Sequence, residues 1–114
     1  MGVVAVRATG FPASVHAVID ERSGGWCEVC GAARVEEHHH RRPRGSGGTR
    51  RLDTNTPANG LGLCRECHRL CESHRKIAIM CGWLVSQHSD PETIPVLYRG
   101  EYRRLTVDGG LEAA

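Results

Sequence analysis

The sequence predicts an α+β protein, in which a core stapled by four cysteines has a helix before it and a β-hairpin after it. Two Cys-x-x-Cys pairs within 114 residues, with short apolar segments between them, predict the core. A helical pattern precedes the first pair and a strand–turn–strand pattern closes the chain. A chain of this length suits one small domain. We therefore expect a single domain over residues 1–114, with the core at about 20–82 and the hairpin at about 94–107.

The first helix is predicted in FPASVHAVIDERSGG. Pro12 suits a first helical turn, apolar residues recur at helical spacing from Val15, and the glycine pair at 24–25 ends the pattern. After the first cysteine pair, ARVEEHHH predicts a short strand, and GLGL before the second pair predicts the strand that returns. The segment between them, RPRGSGGTRRLDTNTPANG, is rich in turn residues and predicts a long loop.

The second half of the chain predicts one long helix and then a hairpin. CRECHRLCESHRKIAIMCG has a partial apolar face, and Gly82 supplies its C-terminal stop. IPVLYRGEYRRLTV predicts two strands that turn near Arg99 and Gly100. The final residues, DGGLEAA, are expected to fray.

The cysteine pairs predict a structural zinc site. Each pair fits a tight turn whose two sulfurs face one ion, and two such turns complete a tetrahedral site of four thiolates. The four ligands would be Cys27, Cys30, Cys64 and Cys67. A redox pair is the alternative, but such a pair normally follows a strand in a thioredoxin-like unit and needs no second pair. Cys71 and Cys81 are expected to be small buried apolar residues.

Charge is clustered although the formal net charge is only +2. The stretch HRRPRGSGGTRRL carries five arginines and no carboxylate, which favours contacts with phosphates over a merely solvated face. The predicted phosphate-binding residues are Arg41, Arg42, Arg44, Arg50 and Arg51. No secretory signal or membrane span is recognisable, so a reducing cytoplasm is expected.

The order of these motifs resembles that of the HNH endonucleases, which are ββα-metal nucleases with a four-cysteine zinc. The resemblance covers about residues 20–75 and rests on CEVC, HHHRRP and NGLGLCRECH. The flanking letters DERSGGWCEVCG and HHRRPRGSGG are similar to HNH proteins of actinobacterial phages. The resemblance implies a ββα-metal core that hydrolyses the phosphodiester bonds of DNA. The phage members also imply a role in genome packaging or processing, with the phage terminase as a partner and the host cytoplasm as the location.

The resemblance also implies roles for individual residues. Pro43 sets the register among the three neighbouring histidines, because the family places its catalytic histidine three residues before a proline. His40 is then the general base and His39 a ligand of the catalytic metal, while His38 falls outside the motif. His68, after the second cysteine pair, is the other metal ligand.

Two further residues complete the implied site. Asn59 takes the place of the asparagine that holds the metal-bearing loop and orients the base. Glu72 follows His68 by one helical turn and is a further candidate ligand. Many members have Asp where this chain has His39, and the loss of that charge favours Mn²⁺, Ni²⁺ or Zn²⁺ over Mg²⁺ as the catalytic ion. Either Glu36 or Glu37 is a candidate to orient a histidine through a hydrogen bond.

A second class of function fits some of the same residues. A non-catalytic zinc module that binds nucleic acid or a protein partner would explain the four cysteines and the arginines. It would not explain why His39, His40, Asn59 and His68 fall in one register.

Overall fold

The computed structural model describes residues 10–43 and 52–114. Helix α1 spans Ala13–Ser23, after Pro12, and ends at Gly24, whose φ of 67° lies in the left-handed region. Its buried residue Ile19 packs toward the strand Gly60–Leu63, where the side-chain-free Gly60 leaves room for it. The predicted first helix is therefore confirmed, and it covers one face of the hairpin described next.

Two short strands form an antiparallel hairpin across the long loop. Strand β1 spans Glu37–His40 and strand β2 spans Gly60–Leu63, with His39 opposite Leu61. All four residues of β2 are buried, because α1 lies on one side of it and the cysteine cluster lies near its end. A one-turn 3₁₀ helix, Pro57–Asn59, leads into β2. Residues 44–51 of the loop, with Arg44, Arg50 and Arg51, lie outside the described part of the chain.

The predicted long helix is two helices, so that part of the prediction is wrong. Helix α2 spans Arg65–Ser73 and helix α3 spans Arg75–Met80, with His74 between them at φ −128° and ψ 66°. The His74 N–H still donates to the Leu70 carbonyl, and the His74 carbonyl accepts from the Ala78 N–H. These two hydrogen bonds bracket the break, and no glycine or proline marks it in the sequence.

The C-terminal segment forms a three-stranded antiparallel sheet. Strand β3 spans Val96–Tyr98, β4 spans Glu101–Leu105 and β5 spans Leu111–Ala113, in the order β3-β4-β5. The predicted hairpin is confirmed, but the expected fraying of the last residues is wrong. The turn between β4 and β5 is closed by hydrogen bonds between Thr106 and Gly110, so DGG makes a hairpin turn.

The core joins these elements through one apolar cluster. It includes the buried cysteines of both pairs, Leu61 and Leu63 of β2, and Val96 and Leu105 of the C-terminal sheet. The chain is therefore an α+β protein in which the second sheet packs on the same core as the ββα unit of β1, β2 and α2. Within residues 10–43 and 52–114, no helix has the length and apolar character needed to cross a bilayer.

Candidate metal centre and histidine cleft

The four predicted zinc ligands lie together. The sulfurs of Cys27, Cys30, Cys64 and Cys67 are all within 4.8 Å of one another, and those of Cys30 and Cys64 are 3.9 Å apart. Four thiolates around a tetrahedral zinc, with Zn–S bonds of about 2.3 Å, would have sulfurs about 3.8 Å apart. The donor set and its spacing therefore fit a structural zinc.

Local backbone geometry holds each pair in this position. Gly31, with a φ of 67°, closes the first turn, and its N–H donates to the Cys27 carbonyl. Cys64 is the N-cap of α2, and its sulfur accepts from the Cys67 N–H at 3.5 Å. Burial raises the pKa of the Cys27 thiol, but backbone hydrogen bonds at Cys30, Cys64 and Val29 outweigh it and bring the pKa down to about 7. A thiolate is therefore accessible at neutral pH, which is the form that binds a metal.

The first cysteine pair also carries a buried carboxylate that sequence reasoning missed. Glu28 is fully buried between the two cysteines and accepts two hydrogen bonds from Arg22 and one from the Tyr98 hydroxyl. It also accepts from the Gly62 N–H at 2.8 Å. Burial, followed by the charge of Glu28, raises the pKa of Tyr98 above its ordinary value, so the phenol stays protonated and donates. Glu28 thus ties the first turn to α1, β2 and β3.

A cavity of about 290 Å³ lies where the end of β1 faces α2. We call it the histidine cleft, and its lining residues are His39, His40, Pro43, His68, Cys71, Glu72, Arg75 and Leu84. Of the five residues to which the resemblance assigns a role in catalysis or in binding the catalytic metal, four line this cavity: His39, His40, His68 and Glu72. Asn59 does not line it.

The two predicted histidine ligands of the catalytic metal are neighbours in this cleft. The rings of His39 and His68 are 5.3 Å apart between centroids, at 66° to each other. The Nε2–H of His39 donates to the Trp83 carbonyl at 2.8 Å, which leaves the lone pair on Nδ1. Burial lowers the pKa of His39 to about 4, and the hydrogen bond to Trp83 opposes this only in part. His39 is therefore neutral near pH 7, as a metal ligand must be.

His68 is oriented by a carboxylate. Its Nδ1 is paired with Glu37, which fulfils the expectation that one glutamate of the Glu36–Glu37 pair would orient a histidine. With Nδ1 engaged, Nε2 is the nitrogen that carries a lone pair for an ion, an arrangement typical of metal-binding histidines. Glu72 lines the same cleft. Among the described residues, however, the cluster of possible metal ligands consists of the four cysteines and does not include Glu72. Glu72 thus stays a prediction as a ligand.

His40 stands on the cleft wall with an unexpected partner. Its Nε2–H donates to Asn55 Oδ1 at 2.8 Å, and its ring stacks on Phe11 at 3.9 Å between centroids and 7° between planes. The amide oxygen can only accept, so Nε2 carries the proton and Nδ1 carries the lone pair. Asn55 could not be singled out from the sequence, because it is one of several turn-forming residues in the long loop.

Asn59 fixes the loop through hydrogen bonds that do not involve His40. Its fully buried amide accepts from the Arg42 N–H at 2.7 Å and donates to the carbonyls of Arg42 and Thr54. This arrangement fits the loop-holding part of the prediction. The base-orienting part is corrected, because the side-chain amide bonded to His40 belongs to Asn55. His38 points away from the cleft, toward Asp20 and His16 of α1.

The expected phosphate contacts of Arg41 and Arg42 are wrong. Arg41 is completely buried and donates to four backbone carbonyls, those of Ala58, Gly82, Pro91 and Ile94. Arg42 is 1% exposed, forms an ion pair with Asp53 and donates to the Ser89 carbonyl. Burial lowers the pKa of Arg41 only to about 9, so it stays charged at neutral pH. Both guanidinium groups hold the protein together and have no surface with which to meet DNA.

Comparison with protein-family models, with curated proteins and with solved structures finds no match for this chain. Its function must therefore be inferred from the residues of the cleft and of the cysteine cluster.

Proposed function

We propose that this protein is an HNH-type endonuclease, which hydrolyses phosphodiester bonds of DNA with a divalent ion held by His39 and His68. One observation carries the proposal: the two imidazoles with lone pairs available for a metal line the same cleft as His40. The cleft lies on the ββα unit and beside the four-cysteine cluster. A structural zinc module alone needs none of these three histidines.

The residues of the cleft have separable roles in this reaction. His40 Nδ1 accepts a proton from a water molecule, whose oxygen attacks the phosphorus while the bond to the leaving sugar oxygen breaks. Asn55 holds the Nε2–H of His40, which keeps the lone pair on Nδ1. His39 and His68 would hold the ion, which supplies positive charge to the phosphate oxygens as negative charge develops there. Both ligands are imidazoles and neither is a carboxylate, so a transition-metal ion is favoured over Mg²⁺.

Plasmid nicking by three variants tests the proposal. His40→Ala should retain zinc and lower the nicking rate by ~10²–10⁴-fold, because the proton acceptor is lost. His68→Ala should also be inactive, and a higher concentration of Mn²⁺ or Ni²⁺ should restore part of its activity. His38→Ala is the matched control, because it removes a neighbouring imidazole that does not line the cleft.

Two outcomes would overturn the proposal. If His38→Ala were inactive and His40→Ala active, the assignment of the base would be wrong. If the wild-type protein cut DNA with none of Mg²⁺, Mn²⁺, Ni²⁺ and Zn²⁺, the non-catalytic zinc module would be the better description. One observation favours that alternative: among the described residues, His39 and His68 do not form a cluster with a third metal-ligand side chain.

A further inference from the structure

One face of α2 and α3 presents a row of polar side chains to the histidine cleft. His68, Glu72 and Arg75 are spaced i, i+4 and i+7, which places them on one side of a helix. All three line the cleft, although the helix breaks at His74. The break therefore leaves Arg75 in line with the residues that precede it.

Arg75 differs from the arginines that the sequence singled out. It is exposed and lines the cleft, whereas Arg41 and Arg42 are buried and bonded to protein groups. The other two arginines of α2 do not line the cleft: Arg65 pairs with Glu36, and Arg69 lies 3.8 Å from Glu66. Among the described residues that line the cleft, Arg75 thus carries the one permanent positive charge.

The position of Arg75 along the helices indicates which phosphate it can meet. Seven residues correspond to roughly 10 Å along a helix axis. With backbone positions this far apart, the Arg75 guanidinium and the His68 imidazole can lie on different phosphate groups. Phosphates recur every ~3.4 Å of duplex axis along one strand, so a strand that passes through the cleft would bring a second phosphate within reach of Arg75.

We propose that Arg75 binds a phosphate that flanks the scissile one, so that the cleft takes a polynucleotide strand in preference to an isolated phosphodiester. A guanidinium group suits this role because its planar fork can donate two hydrogen bonds to one phosphate. That one phosphate is cleaved rests on the proposed nuclease function, but the binding of a DNA phosphate by Arg75 does not.

Binding of a duplex oligonucleotide to the zinc-loaded protein, without other divalent ions, tests the contact itself. Arg75→Ala should weaken binding about 10-fold at low salt and reduce the log–log salt slope by about 0.9, the value for one lost phosphate contact. Arg69→Ala is the matched control, because it removes the same charge from the same pair of helices but outside the cleft. Equal effects of the two substitutions on the slope would overturn the proposal.

Cleavage of two substrates separates strand positioning from a structural role. Arg75→Ala should slow the cleavage of DNA at least ten-fold more than that of bis(4-nitrophenyl) phosphate, which has no flanking phosphate. Arg75→Lys should recover part of the loss on DNA. Equal losses on both substrates would overturn the proposal. If the wild-type protein cleaved neither, the nuclease function would fail, and the salt slope would still decide whether Arg75 binds DNA.

Discussion

Asn55 illustrates how one side chain can decide what a histidine does. An imidazole has two nitrogens, and the group that binds one of them determines which nitrogen is left to accept a proton. The bond from His40 to Asn55 Oδ1 gives that role to Nδ1. The role expected of Asn59 is therefore divided, with Asn59 holding the loop and Asn55 holding the base.

Substitution of Asn55 should change the reaction in two distinguishable ways. Asn55→Ala should lower the cleavage rate by ~10–100-fold, the usual effect of losing a residue that orients a catalytic group. Asn55→Asp keeps the acceptor but adds a negative charge, which favours the imidazolium and moves the acid limb of the pH–rate profile to higher pH. The pH–rate profiles of both variants check this. If the acid limb of Asn55→Asp lay at the same pH as that of the wild type, Asn55 would not act on the proposed base.

The sequence predicts residues well where their partners are near in the chain, and poorly where the partners are distant. Each cysteine pair depends on a spacing of a few residues, and the four sulfurs do lie together. The fate of Arg41 depends on carbonyls 17 to 53 positions away, which no local pattern encodes. Glu28 has one partner nearby, Arg22, but its burial also depends on Gly62 and Tyr98, which are 34 and 70 positions away.

Among the secondary-structure elements, the ends of the helices were easier to predict than the break between them. Gly24 and Gly82 both end helices with a positive φ, and glycine accepts that conformation without strain. His74 breaks the path of α2 and α3 without any such residue. Because no glycine or proline lies at this break, the sequence carries no local signal for it.

Replacement by alanine should have different effects on stability at the two glycines that end helices. Gly24→Ala should cost about 1 kcal/mol of the free energy of unfolding, because its Cβ would meet nothing within 4 Å and only the backbone is strained. Gly82→Ala should cost about 3 kcal/mol or more, because its Cβ would overlap the Pro95 carbonyl group. Urea unfolding of the zinc-loaded proteins checks this, and equal losses would show that Pro95 moves aside freely.

The free energy of unfolding should depend on pH through His39, which lies in strand β1. An unfolded histidine has a pKa near 6.5, whereas burial lowers that of His39 to about 4. The unfolded state therefore binds more protons between these values, so the free energy of unfolding falls as the pH drops from 6.5 to 4, by about 3 kcal/mol at full extent.

The control for this effect is His39→Gln, which cannot titrate and retains a donor for the Trp83 carbonyl. Zinc loss in acid affects both proteins, so the informative quantity is the difference between their free energies of unfolding. That difference should change with pH only below about 6.5. A constant difference from pH 7 to 4.5 would contradict the buried, neutral state of His39.

At the scale of the whole molecule, the C-terminal sheet is tied to the first pair of the four-cysteine cluster. Arg99, in the turn between β3 and β4, donates to the carbonyls of Ser23, Trp26 and Cys27. Tyr98, at the end of β3, donates its hydroxyl hydrogen to Glu28. The sequence predicted this hairpin but gave it no role, and the structure shows that it clamps the first cysteine pair.

Zinc should hold these parts together. Cys64→Ser should lose the metal and unfold, because the binding energy of a structural zinc, roughly 10–16 kcal/mol in small zinc domains, is coupled to folding. Cys81→Ser is the control, since Cys81 lies outside the four-cysteine cluster. It should retain one zinc per chain and a melting temperature within a few degrees of wild type. A Cys64→Ser protein with native circular dichroism and melting temperature would refute the structural role of the metal.

The clamp from Arg99 to Cys27 also sets an order of events during translation. The two residues are 72 positions apart, so the first cysteine pair leaves the ribosome long before the turn that encloses it. At ~5–20 residues per second, this interval is roughly 4 to 14 seconds. During that time the thiols of the nascent chain are open to chaperones, oxidants and competing ions. The enclosure of the first cysteine pair by Arg99 is therefore a late step, because it must wait until residue 99 has been synthesised.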